Sequence, residues 1–69
     1  MSVETMSRRI SIIEQTWKEA PQAGRAEYVE ELAAISTGLM SVTGPEAERA
    51  EWLSRRVNRV VRNIGTAAG

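Results

Sequence analysis

The chain has 69 residues and contains no cysteine, histidine or aspartate. The absence of cysteine excludes disulfide bonds, and without these three residue types a structural zinc site lacks its usual ligands. A domain of this length buries only about 60% of the surface of its unfolded chain, so it is marginally stable alone. Small domains are commonly reinforced by disulfides, metals or oligomerisation. Since the first two are excluded, we expect oligomerisation, and specifically a homodimer.

Side chains that perform catalysis are also scarce. The available acid–base groups are glutamates, the single lysine Lys18 and the single tyrosine Tyr28. The usual nucleophile–base pairs need histidine, cysteine or a serine–lysine arrangement, and no such pair is visible. The five glycines are scattered, so there is no glycine-rich phosphate loop. The sequence therefore predicts a protein that is not an enzyme, with no catalytic residues, no metal and no cofactor.

Neither net charge nor long apolar runs are present. Nine basic residues balance nine acidic residues, so the overall charge favours neither nucleic acid nor a membrane surface as a partner. The apolar runs are only a few residues long, which is too short to span a bilayer. The first residues lack the basic-then-apolar pattern of a secretory signal. We therefore expect a cytoplasmic protein without a membrane partner.

Two of the three predicted helices follow from apolar spacing. Steps of three and four residues place apolar side chains on one face of a helix. The first helix covers about residues 3–20, with Ser2 as its N-cap and Pro21 as its end. Its seam is Val3, Met6, Ile10, Ile13 and Trp17. The second helix covers about residues 24–41, and its inner face is Tyr28, Leu32, Ile35 and Leu39, widened by Val29, Ser36 and Met40.

The third helix, about residues 44–64, has the clearest predicted start. Thr43 and Glu46 fit the capping box, in which a Ser or Thr is followed three residues later by Glu. Gly65 is expected to end the helix, which leaves residues 1–64 as one helical domain and 65–69 as a disordered tail. No segment alternates with period two. The predicted fold is all-α: a three-helix bundle, or a helical hairpin plus an N-terminal helix, completed by dimerisation.

Trp52 lies on the wrong side of the third helix. At about 100° per residue, its side chain points roughly opposite to the apolar face of that helix. Its neighbours one and two turns along are Arg55, Arg56 and Arg59, and Arg49 lies on the same helix. The apolar face that it avoids is formed by Ala50, Leu53, Val57, Val60 and Ile64.

Three interpretations of the arginine row are open. In the first, helices two and three run antiparallel, which places Glu27 level with Arg59 and Glu31 near Arg55 and Arg56. In the second, the row binds an acidic surface of another protein or of a second copy of the chain. In the third, the arginines contact the phosphates of a nucleic acid. An anion held in a cleft lined by the arginines is a further alternative.

The second interpretation accounts best for Trp52, because a face of internal salt bridges has no use for an exposed indole. Tryptophan and arginine are the residues most enriched at binding hot spots. Ile12 is a similar misfit, since it points away from the seam of the first helix. We therefore predict a small protein-interaction module, acting as a regulator, inhibitor or adaptor, or alternatively a nucleic-acid-binding transcriptional regulator. The predicted partner-binding residues are Trp52, Arg55, Arg56, Arg59, Arg49 and Ile12.

Overall fold

The computed structural model describes residues 2–68 and consists of three α-helices within that range. Helix α1 spans Val3–Thr16, α2 spans Gln22–Met40 and α3 spans Ala47–Ala68. Short 3-10 turns at Trp17–Glu19 and Gly44–Glu46 precede α2 and α3. The all-α fold with three helices is therefore confirmed, and the molecule measures 38 × 18 × 16 Å.

Each helix begins or ends for a local reason. The Ser2 hydroxyl accepts a hydrogen bond from the backbone N–H of Thr5 at 3.1 Å, which confirms the predicted N-cap of α1. At the other end, the α-helix stops at Thr16, four residues before the predicted end, and tightens into a 3-10 turn. Pro21 has extended backbone and forms the N-cap of α2.

Arg25 fixes the connection between α1 and α2. Its Nε donates to the carbonyl oxygen of Trp17 at 3.2 Å, and its terminal nitrogen donates to that of Lys18 at 2.8 Å. Both carbonyls lie at the end of a helical segment, and that of Trp17 also accepts the backbone N–H of Ala20 at 3.2 Å. The guanidinium also lies 5.5 Å from the centroid of the Trp17 ring. Arg25, in the first turn of α2, thus stabilises the 3-10 turn that precedes α2.

One apolar core joins the three helices. The thirteen buried hydrophobic residues all lie on the three predicted seams, and none of the buried residues that the structure describes is polar. Tyr28, predicted on the inner face of the second helix, is half-buried, and its hydroxyl lies 3.4 Å from Thr16 Oγ1. The core comprises Val3, Met6, Ile10, Ile13, Trp17, Leu32, Ile35, Leu39, Ala50, Leu53, Val57, Val60 and Ile64.

The start of α3 differs from the prediction. Thr43 makes no capping hydrogen bond through its side chain, so the capping box with Glu46 is wrong. Gly44 has a φ of 80°, a left-handed conformation that favours glycine. A capping box needs helical backbone at the position after the cap, and Gly44 does not supply it. The α-helix therefore begins only at Ala47, after a 3-10 turn.

The end of α3 and the position of one side chain of α2 also differ from the prediction. Helix α3 continues through Gly65 to Ala68, so the predicted end at residue 64 is wrong. The disorder expected for residues 65–69 stays a prediction, and Gly69 lies outside the described residues. Met40 was expected to widen the inner face of α2, but 73% of its surface is exposed. It lies about 100° around the helix from Leu39, beyond the edge of the buried stripe.

Ion pairs dock α1 on both of its flanks. Arg9 pairs with Glu31 of α2, and Arg56 of α3 pairs with Glu14. The predicted pairing of Glu31 with the arginines of α3 is therefore wrong, because α1 lies beside both helices and supplies the opposite charge. Within residues 2–68, no ion pair joins α2 to α3, so the predicted proximity of Glu27 and Arg59 gives no salt bridge.

Alanine substitutions of two isoleucines on α1 test this assignment of the core. Ile10 is fully buried, whereas 47% of the surface of Ile12 is exposed. We expect Ile10→Ala to lower the free energy of unfolding by about 2–5 kcal/mol, because it leaves a cavity. The matched variant Ile12→Ala should change it by at most about 0.5 kcal/mol. Urea denaturation measures both; equal losses would contradict the assignment.

Candidate protein-docking site

Trp52 is the largest exposed apolar side chain of α3, and 61% of its surface is accessible. A shallow surface depression lies beside it, lined by Glu48, Glu51, Trp52 and Arg55. The predicted exposure of Trp52 is thus confirmed. Residues 2–68 of the same chain leave most of the indole in contact with water.

Arg56 lies beside Trp52 but points towards α1. Its guanidinium carbon is 5.8 Å from the centroid of the Trp52 ring, within the range of a cation–π contact. The same guanidinium forms an ion pair with Glu14 and donates to Ser11 Oγ at 3.3 Å. Only 23% of the Arg56 side chain is exposed. Arg56 therefore joins α3 to α1 and supports one edge of the indole.

The other arginines of the predicted site are exposed. Arg55 pairs with Glu51 one turn earlier at 2.8 Å, but 75% of its side chain remains accessible. Arg49 and Arg59 are exposed, as is Arg62. Among residues 2–68, these three make no ion pair. Their guanidinium groups therefore have donors available for a carboxylate or phosphate outside the chain.

Ile12 is exposed as predicted, but it does not share the surface of Trp52. Ile12 and Glu14 are two residues apart, so their side chains point in nearly opposite directions around α1. Glu14 reaches α3 through its pair with Arg56, and Ile12 consequently points away from α3. The structure thus brings Trp52, Arg55 and Arg56 together and leaves Ile12 on another face.

Met40 is an exposed apolar residue that the sequence analysis missed. It lies at the rim of a pocket between the end of α2 and the start of α3. The exposure of Met40 could have been predicted from the helical wheel, because Met40 follows the buried Leu39 by one residue and so points about 100° away from it. The pocket is lined by Leu39, Met40, Val42, Ala47, Ala50, Glu51 and Ser54. Met40 and Trp52 are therefore two separate exposed apolar groups, and Met40 provides a control for Trp52.

The Arg9–Glu31 pair joins α1 to α2. Two guanidinium nitrogens of Arg9 donate to the two carboxylate oxygens of Glu31, a bidentate geometry. These hydrogen bonds lower the pKa of Glu31 below its ordinary value, although partial burial acts in the opposite direction. The same hydrogen bonds raise the pKa of Arg9. The pair fixes the flank of α1 opposite to the flank that meets Arg56.

The lowered pKa of Glu31 predicts a dependence of stability on pH. The contribution of the pair is complete above the unfolded-state pKa of Glu31, and it is lost as the pH falls through the lower folded-state pKa. At about pH 7 we expect Glu31→Gln to destabilise the fold by about 0.2–1 kcal/mol, since the pair is partly exposed to solvent.

The pH dependence itself provides the measurement. Unfolding free energies between about pH 7 and about pH 3 should fall less for Glu31→Gln than for the wild type. Glu30→Gln is the matched control, because Glu30 is exposed and makes no ion pair with residues 2–68. An equal fall in the wild type and in Glu31→Gln would contradict the role of this pair.

Comparisons with protein-family models, with curated proteins and with solved structures give no match to this chain. Over residues 2–68, no helix has both the length and the apolar character needed to cross a bilayer. In the same part of the chain, no cluster of three potential metal-ligating side chains is found.

Proposed function

We propose that this chain is a small protein-interaction module that acts as a regulator, inhibitor or adaptor through the surface around Trp52. The observation that carries the proposal is the 61% exposure of an indole that lies outside the core, with charged side chains of both signs around it. A rigid three-helix scaffold holds this surface, so binding requires little ordering of the chain. The proposed mechanism is steric: the module covers a site on a partner, or it bridges two partners.

The chemistry of the surface indicates the kind of partner. An indole supplies a large apolar contact area with few rotatable bonds, and tryptophan and arginine dominate binding hot spots. Arg55 and Arg59 follow Trp52 by one and two turns with exposed side chains, and a guanidinium can bind a carboxylate in a bidentate geometry. We therefore propose a partner surface that covers the indole and offers a carboxylate to the arginines. The module has no catalytic step, and its proposed location is the cytoplasm.

Replacement of Trp52 tests the proposal. We expect Trp52→Ala to lose a partner that the wild-type chain retains, or to lose self-association, because the main apolar anchor is removed. Loss of such an anchor typically weakens binding by about 2 kcal/mol or more. The measurements are affinity capture from the cells of origin and the solution mass of the purified chain.

Met40→Ala is the control, since 73% of Met40 is exposed and Met40 lines a neighbouring pocket that does not include Trp52. The control should retain the partner and the solution mass of the wild type. If Trp52→Ala changed neither the captured proteins nor the mass, the proposal would be wrong.

A second candidate function is nucleic-acid binding by a transcriptional regulator. It is favoured by the exposed arginines of α3 that make no ion pair with residues 2–68: Arg49, Arg59 and Arg62. These side chains can contact phosphates, and Trp52 can stack on an unpaired base. The acidic residues at the start of α3, Glu46 and Glu48, oppose such binding because they repel phosphates.

Salt dependence tests this second candidate. If it holds, the affinity for DNA or RNA falls with salt with a log–log slope of about −0.9 for each phosphate contacted on a duplex, and about −0.7 on a single strand. Arg59→Gln should then reduce the magnitude of the slope by about 1, the value for the loss of one phosphate contact. Filter binding with mixed-sequence oligonucleotides measures both values. Failure to bind any oligonucleotide at low salt would eliminate this function.

A further inference from the structure

The exposed face of α3 carries a stripe of four residues: Glu48, Trp52, Arg55 and Arg59. These residues are separated by steps of four, three and four, so they lie along one face of the helix. All four are exposed, and the first three line the same surface depression. We call this set the outer stripe; it lies opposite the apolar face that packs into the core.

Charge changes sign along the outer stripe. Its N-terminal end is acidic at Glu48, and its C-terminal end is basic at Arg55 and Arg59. Glu46 precedes the stripe and Arg62 follows it, while Arg49 and Glu51 lie beside its acidic end and its middle. Arg55 already pairs with Glu51 at 2.8 Å, whereas Arg59 makes no ion pair within residues 2–68. Arg59 is therefore the arginine of the stripe that an acidic group from outside the chain would pair with.

A second copy of the chain supplies such a group when the two α3 helices run antiparallel. If the helices cross between Leu53 and Ser54, Glu48 of each copy lies opposite Arg59 of the other. Trp52 of each copy then lies opposite Arg55 of the other, which places a guanidinium against an indole. Parallel pairing in register instead places every charge against the same charge. The outer stripe is therefore complementary to itself in the antiparallel direction alone.

We propose that the outer stripe is a self-docking surface, through which two copies form a twofold symmetric dimer by antiparallel pairing of their α3 helices. This inference rests on the proposed function and names a second copy of the chain as the partner. One helix pair gives an interface at the small end of the specific size range, so the dimer dissociates readily on dilution. Its exposed ion pairs are screened by salt, so it weakens as the ionic strength rises.

Charge reversal with restoration is the experiment. Glu48→Arg places arginine opposite arginine twice in the dimer, and Arg59→Glu places glutamate opposite glutamate twice. The double variant Glu48→Arg/Arg59→Glu recreates both attractive contacts with exchanged signs. Within one chain the two positions are separated by about 16 Å along the helix, so they do not pair with each other. Restoration in the double variant therefore reports on contact between copies.

Sedimentation velocity over a dilution series at low salt measures the dimer dissociation constant. We expect each single variant to raise it by about tenfold or more, because like charges meet at two places in the interface. The double variant should return it to within about threefold of the wild-type value. The matched control is Glu30→Arg, which makes the same charge change on an exposed position of α2 and should leave the constant unchanged. Circular dichroism confirms that each variant is folded.

Three results would overturn the self-docking surface. They are a wild-type chain that stays monomeric at millimolar concentration, single variants that dimerise like the wild type, and a double variant that fails to restore the dimer. The first of these leaves the proposed function standing if Trp52→Ala still loses a captured protein that Met40→Ala retains. The proposed function fails separately, when Trp52→Ala alters neither capture nor mass.

Discussion

A single apolar core joins the three helices, and the rest of the structure depends on the burial of its side chains. Helix α1 and the turn after it supply five of the thirteen buried side chains, and the chain has no cysteine with which to form a disulfide. A chain of 69 residues has little apolar area to spare. The ion pairs on the two flanks of α1 then fix its position, since apolar contact alone does not specify direction.

The docking of α1 also shapes the surface of α3. Glu14 draws the guanidinium of Arg56 inwards, so Arg56 faces α1 on one side and the indole of Trp52 on the other. Arg55 and Arg59 have no such neighbour on α1, and they remain in solvent. The arginine row that looks uniform in the sequence is therefore divided by the fold. One member supports the scaffold, and the others remain available to a partner.

The apolar spacing was sufficient to predict the core, because burial on a helix follows directly from its period. It also predicted the exposure of Trp52 and Ile12. It was insufficient for the contacts between helices. A helical wheel gives the direction of Glu31 around its own axis, but not which neighbour lies there, and that neighbour is α1 rather than α3. The start of α3 was missed for a different reason, since the left-handed backbone of Gly44 overrides the capping pattern.

The two tryptophans of the chain lie in opposite environments. Trp17 is 6% exposed, packed in the core beneath the guanidinium of Arg25, whereas Trp52 is 61% exposed. Unfolding transfers the indole of Trp17 from an apolar environment into water. A partner that covers this surface of α3 transfers the indole of Trp52 from water into a less polar environment. The emission spectrum of the unlabelled chain should therefore move to longer wavelengths when the core opens and to shorter wavelengths when the surface is occupied.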